Sequence, residues 1–221
     1  MVKPAATIEY NDVGGWGNLN AIINNFLGEY EDEYGFDRPC TSKSALKGTK
    51  PCHFDTNLLE ACKDAWNKVW IRPCVYFTLN TEVIDIEYKA FNKADLPNDM
   101  PRKLKSFING LSGDDLNQVF IECHGKNETI FEEQIDKLDY YPQLQQRGRK
   151  VDFGSFPFYY FEFKNEEGFE SPIVAIQIEK KLNSEELSQP VSGEVEIECF
   201  AWAKNIDGDN DFISVDIVID F

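Results

Sequence analysis

Glu194-Val195-Glu196-Ile197-Glu198-Cys199-Phe200-Ala201-Trp202-Ala203 is the stretch that decides the fold. Val195, Ile197, Cys199 and Ala201 share one face, opposite Glu194, Glu196 and Glu198. Such period-two alternation describes a half-buried antiparallel strand. Two further segments repeat it. In Asn117 to Cys123, Val119, Ile121 and Cys123 share a face; in Asp211 to Phe221, Ile213, Val215, Ile217, Ile219 and Phe221 oppose Ser214, Asp216 and Asp220. Cys123 and Cys199 both fall on apolar faces, so a bond between them would staple two sheets across a core, as in a sandwich. An immunoglobulin domain places a Trp between its paired cysteines. The tryptophans here are Trp16, Trp66, Trp70 and Trp202, so the sandwich is immunoglobulin-like at most.

Cys123 and Cys199 belong to a set of six, with Cys40, Cys52, Cys62 and Cys74. An even count without any C-x-x-C reads as a disulfide framework rather than a metal site, and places the chain outside the cytosol. A length of 221 residues, 42% hydrophobic and 14% aromatic, buries a sizeable core without metal or cofactor. The net charge of −17 argues against a nucleic-acid partner, whose phosphates need Lys and Arg. No run of about 18 apolar residues is present to span a membrane, and Met1 to Asn11 lacks the basic-then-apolar pattern of a signal peptide. A disulfide-rich chain without an export signal is expected to be an ectodomain separated from its signal or anchor, or a secreted paralogue.

Toward the N-terminus, Leu19, Ile22, Ile23, Phe26, Leu27 and Tyr30 keep helical spacing, with Asn18 as cap and Gly35 after the last turn. This helix either covers the core or binds a partner. Arg38 to Pro51 is a polar loop. A short second helix starts after Thr56, carries Leu58, Leu59, Cys62 and Trp66, and ends at Arg72-Pro73. A strand follows from Val75 to Ile86. Phe91 to Gly113, with two prolines and two glycines, reads as a long connection.

Candidate chemistry is thin. Asp207-Gly208-Asp209-Asn210-Asp211 resembles the start of a calcium loop, but an EF-hand needs Gly sixth and Glu twelfth, where Phe212 and Val218 stand. A hairpin turn fits better. His53 and His124 each neighbour a cysteine, and no Ser or Asp motif completes a triad. No Gly-rich phosphate loop is present. Glu166-Glu167 and Glu185-Glu186 read as solvated loop charges. No catalytic residue, metal ligand or cofactor is expected.

One segment departs from ordinary surface. Phe153 to Phe163 holds seven aromatics in eleven residues. It is either a core strand with an aromatic lead-in or an exposed strip for a partner, since aromatics dominate interface hot spots. A strand cannot point every ring to one face. Arg147, Arg149 and Lys150 just before it are the clearest basic cluster of an acidic chain, either a docking point or a solvated loop.

Taken in order, several elements resemble one family. Cys52-His53-Phe54 with Leu59 and Cys62 is similar to the C-x-F-x-x-x-x-L-x-x-C signature of the β-subunits of sodium/potassium-transporting and proton/potassium-transporting ATPases. Pro73-Cys74-Val75 with Thr78-Leu79-Asn80 resembles the next element. Ile121-Glu122-Cys123-His124-Gly125, Phe156-Pro157-Phe158-Tyr159, Ser171-Pro172-Ile173-Val174-Ala175-Ile176-Gln177 and Glu198-Cys199-Phe200-Ala201 with Asn205-Ile206 resemble the rest, so the likeness covers nearly the whole chain. There are departures. The aromatic strip lacks its closing Gly, replaced by Tyr160 or Phe161 depending on the gap; Lys63 stands where Ser is usual; the Cys40–Cys52 loop is short.

The resemblance implies an immunoglobulin-like antiparallel β-sandwich with an N-terminal helix, a short second helix and three disulfides, Cys40–Cys52, Cys62–Cys74 and Cys123–Cys199. It implies a membrane-proximal segment over 1–16 and a single ectodomain over 17–221, with the helix and cysteine-rich part at 17–74 and the sandwich at 75–221. It further implies a type II plasma-membrane protein whose transmembrane helix precedes this chain, and a non-catalytic subunit that assembles with the catalytic α-subunit of a cation-transporting P-type ATPase, supports its maturation and modulates ion transport. Phe156, Pro157, Phe158, Tyr159, Tyr160 and Phe161 are then the partner-binding residues. Asn127, in the one sequon Asn127-Glu128-Thr129, is the glycosylation site. The alternative is an extracellular cell-adhesion or recognition module of the same fold with a trans partner and no pump. A disulfide-stabilised secreted enzyme is a distant third.

Overall fold

The computed structural model describes residues 6–7, 15–30, 51, 53–63, 72–79, 89–181, 194–204 and 214–220. Cys40, Cys52, Trp66, the Arg38 to Pro51 loop and the Asp207 to Asp211 turn lie outside the described residues, except Pro51 itself.

The alternating segments form strands in one five-stranded sheet. Its order is β1 (Ala6–Thr7), β10 (Ser214–Asp220), β9 (Glu194–Trp202), β3 (Gln118–Gly125) and β7 (Gly154–Pro157). All neighbours are antiparallel except β1 with β10. A second, antiparallel sheet has the order β2 (Cys74–Phe77), β8 (Val174–Lys180), β4 (Ile135–Tyr141). Its central strand is a nearly continuous buried run from Val174 to Ile178, as expected for a strand covered on both faces. One apolar cluster joins the two sheets: Val119, Ile121, Val195 and Ile197 from the first, Val75, Tyr140, Ile176 and Ile178 from the second.

The Cys123–Cys199 bond is present, but it does not staple two sheets. Cys123 and Cys199 are register partners on the adjacent strands β3 and β9, with Cα atoms 4.0 Å apart. Alternation places both on the buried face, and that face is shared by neighbours within a sheet as well as by residues across the core. Face assignment therefore could not separate the two arrangements; register did. Cys62 and Cys74 are also bonded.

The N-terminal helix α1 spans Gly15–Gly28, so Asn18 lies inside it rather than capping it. Phe26 and Tyr30 reach the core through edge contacts to Tyr76 and Phe54, while Ile22 stays exposed. The expected second helix is a 3₁₀ segment, Thr56–Cys62, kinked at Glu60, whose φ is 45°. Asp55 caps it through Asn57 N–H. Tight i, i+3 geometry suits a short segment tied to a disulfide at its end. The strand expected over Val75 to Ile86 is described only as β2.

Two helices were unexpected. The long connection contains α2, Arg102–Gly110, whose Leu104, Phe107 and Ile108 are buried. These three sit at i, i+3 and i+4, a signal masked by the surrounding prolines and glycines. They pack with Phe120, Phe153 and Trp202 into a second core on the other face of the five-stranded sheet. The second is α3, Glu128–Gln134, capped by Asn127, whose Oδ1 accepts from Ile130 N–H at 3.2 Å.

Candidate functional site

The aromatic run divides where the backbone changes geometry. Its first part is β7, paired with β3 so that Phe156 lies opposite Val119 and Pro157 opposite Gln118. Gly154 opens β7 beside Val174 of the second sheet. A Cβ there would stand 2.6 Å from Val174 Cγ1 and 3.1 Å from Ile121 Cγ2, so only Gly fits without a shift. After Pro157 the chain turns into a 3₁₀ segment, Phe158–Phe163. Phe158 N–H still donates to Asn117 O at 2.9 Å, continuing the strand pairing by one residue.

This change of period sorts the rings that a strand could not. Phe156, Tyr160 and Phe161 are buried core. Pro157, Phe158 and Tyr159 are half-exposed. Of the six residues assigned to a partner surface, three are thus held inside the chain's own core, and three are partly exposed, with Phe158 and Tyr159 packed against that core. Tyr160 lies 6.0 Å, centroid to centroid, from Phe54 and 4.7 Å from Tyr159. Burial raises the hydroxyl pKa of both tyrosines, so both stay neutral donors.

The cysteine-rich segment is fastened beside this strip. His53 Nδ1 lies 2.8 Å from Glu170 Oε2, and Phe54 N–H donates to the same oxygen at 3.4 Å. Tyr30 OH donates to Ser171 O at 2.9 Å, and Ser171 Oγ to Leu79 O at 3.3 Å. The residues just after α1, just before the Thr56–Cys62 segment and just after β2 therefore converge on Glu170 and Ser171. Burial raises the Glu170 pKa, and His53 opposes that rise. Nothing in the sequence marked Glu170, because its partner lies 117 positions away.

The second histidine sits elsewhere. His124 stacks on Phe200 with ring centroids 5.2 Å apart and contacts Glu122 at 3.3 Å on the outer face of the five-stranded sheet. Each histidine thus has a carboxylate beside it. Among the described residues, no group of three or more His, Cys, Asp or Glu could hold a metal ion, and no helix is long and apolar enough to cross a membrane. Asn127 is exposed, as is Thr129. Arg147, Arg149 and Lys150 are exposed on a tight hairpin, β5 (Gln145–Gln146) to β6 (Arg149–Lys150), turned by Arg147 and Gly148 at positive φ.

What the arrangement offers is a supported surface: half-exposed rings at the end of a sheet strand, flanked by a pinned loop. Residues 3–218 match the family model described as sodium/potassium ATPase beta chain. The chain is similar to sodium/potassium-transporting ATPase subunit beta-1 of Drosophila melanogaster, 31% identical over 194 residues, which is 84% of this chain and 54% of that protein. It is also similar to subunit beta-2 of the same organism, 30% identical over 139 residues, 61% of this chain and 36% of that protein. The chain spans about half the length, or less, of these curated relatives.

Proposed function

This chain belongs to the sodium/potassium ATPase beta chain family, and from that premise we propose that it is the extracellular part of a non-catalytic subunit of a P-type cation-transporting ATPase. In this reading it assembles with the catalytic α-subunit, supports that subunit's maturation and modulates ion transport. The observation that carries the reading is the family match across nearly the whole chain. The half-exposed Pro157, Phe158 and Tyr159 supply the docking surface. Their neighbours Phe156 and Tyr160 are buried, so the exposed rings are held in place before binding, which lowers the ordering cost of association.

The remaining parts of the reading follow from the same premise. Two sheets sharing one core support an immunoglobulin-like sandwich, with the in-sheet Cys123–Cys199 bond as its departure from that fold. Cys40 and Cys52 form the third disulfide. Two disulfides suit an oxidising compartment, hence the outer side of the plasma membrane in a type II protein. Asn127 carries a glycan: it is exposed, and its capping bond uses Oδ1 rather than Nδ2, the atom a glycan takes.

The test is co-expression with a P-type ATPase α-subunit, followed by affinity co-purification. Phe158→Ala with Tyr159→Ala is expected to weaken assembly by about 2 kcal/mol or more, the usual weight of aromatic anchors, with both disulfides intact. A large fall in the melting temperature of the isolated variant, or unchanged assembly, would overturn the docking assignment. Absence of any wild-type association would overturn the subunit reading.

A further inference from the structure

The basic cluster at Arg147, Arg149 and Lys150 is not isolated in space. The strand that carries it runs beside α2. Gln146 Nε2 donates to Phe107 O at 3.4 Å, Lys103 Nζ meets Asp152 Oδ2 at 2.8 Å, and the Phe107 and Phe153 rings contact with centroids 4.8 Å apart. Helix α2 brings Arg102, Lys103 and Lys105, and it contains no acidic residue. Two segments far apart in sequence, α2 and 145–152, thus hold six of the chain's 22 Lys and Arg but one of its 39 Asp and Glu. That one, Asp152, already engages Lys103. Arg102, Arg147, Arg149 and Lys150 are exposed and have no ion-pair partner among the described residues. Several other cations are committed: Arg72 to Glu179, Lys126 to Glu196, Lys137 to Asp139 and Glu179, Lys204 to Asp95.

We propose that α2 and the β5–β6 hairpin together form a docking strip for a sulfated polysaccharide. The inference rests on the extracellular placement argued above. Guanidinium forks match the paired oxygens of sulfate and carboxylate groups. Screening confines a charge's influence to about 8 Å at physiological ionic strength, so the strip acts locally despite the acidic remainder of the chain. A thin linear polyanion can follow the strip without meeting that remainder. A folded acidic protein would press its own surface against the chain's many carboxylates. Anionic lipid is concentrated on the cytoplasmic leaflet, the side opposite to this placement.

The experiment is calorimetric titration of the 221-residue chain with a heparin-derived decasaccharide at rising NaCl. Binding is expected, and it weakens steeply with salt. Arg149→Ala with Lys150→Ala, and separately Arg102→Ala with Lys103→Ala, each reduce affinity roughly tenfold, the weight of lost charge-assisted hydrogen bonds. Lys126→Ala with Lys204→Ala, which removes two paired lysines away from the strip, leaves affinity unchanged. All the variants keep the wild-type melting temperature, since the altered side chains are exposed. No binding by the wild type, or wild-type affinity in either strip variant, overturns the proposal. So does binding of polyglutamate or phosphatidylserine vesicles as tight as that of the decasaccharide, which would point to an acidic protein or a lipid surface instead. The measurement needs no α-subunit. A negative result here leaves the assembly reading standing, and failed co-purification leaves this strip untouched.

Discussion

The backbone N–H of Cys123 donates to the hydroxyl of Tyr140 at 2.9 Å, across the interface between the two sheets. The same hydroxyl lies 3.5 Å from Cys123 O, to which it donates. Strand β7 pairs with β3 only as far as Ile121, so beyond that point the outer edge of β3 has no strand beside it among the described residues. Tyr140, carried on β4 of the other sheet and 1% exposed, fills that role with a side chain. Burial raises its pKa steeply, so the group is a neutral phenol throughout the physiological range.

Removing that hydroxyl while keeping the ring isolates its contribution. Tyr140→Phe leaves a buried N–H without a partner, which costs about 1–3 kcal/mol. Urea unfolding of the variant is expected to show a lower midpoint at unchanged m-value, with the Cys123–Cys199 bond still formed. Unaltered stability would mean that the contact contributes nothing net.

Gly154 tests the spacing of the layers at the same place. Gly154→Ala inserts a methyl group against Val174 and Ile121, and within 3.4 Å of Tyr140 Cδ1. Overpacking of this kind costs about 1–3 kcal/mol. Thermal denaturation should show the loss; a variant as stable as the parent would mean that β7 can slide away from the second sheet.

The aromatic strip should behave as two populations. Phe156→Ala removes a fully buried ring and is expected to cost about 3–5 kcal/mol. Phe158→Ala, at a half-exposed position, should cost clearly less. Equal losses on chemical denaturation would show that both rings serve the core and would remove the basis for a surface role.

His124 offers a pH readout. Its hydrogen bond to Glu122 raises its pKa above the ordinary 6.5, opposed by partial burial and aided by the charges of Glu122 and Glu198. With the folded value above the unfolded one, the folded state binds the proton more tightly. The stabilisation is therefore full below 6.5 and is lost as pH rises through the folded value. Glu122→Gln should move the titration of the His124 ring toward lower pH. The chain has two histidines, so proton NMR can follow each. An unmoved titration would remove Glu122 as the cause.

Replacing the Cys123–Cys199 pair by Ala removes a cross-link of 76 residues' separation. Chain-entropy arguments put the loss at roughly 4 kcal/mol. Because the bond lies within one sheet, the β3–β9 pairing itself should persist, as read by protection of the β3 and β9 amides from hydrogen exchange in the folded fraction. Selective loss of that protection would show that the disulfide, rather than the strand ladder, holds the two strands together.

The sequence by itself determined the things that depend on local period and chemistry. Alternation in Glu194 to Ala203 and its two companions announced half-buried strands, and the residues around the six cysteines announced the family. The tertiary structure decided what depends on register and distance. Cys123 and Cys199 share a face in either an inter-sheet or an in-sheet arrangement, and only pairing of β3 with β9 selects the second. The aromatic run had to split, but where it split depended on the 3₁₀ turn after Pro157. Helix α2 was written at Leu104, Phe107 and Ile108, too short a pattern to stand out among prolines and glycines. The Glu170–His53 contact and the union of α2 with the basic hairpin had no local signature at all. Each joins residues dozens of positions apart, and a contact of that kind exists only once the chain has closed on itself.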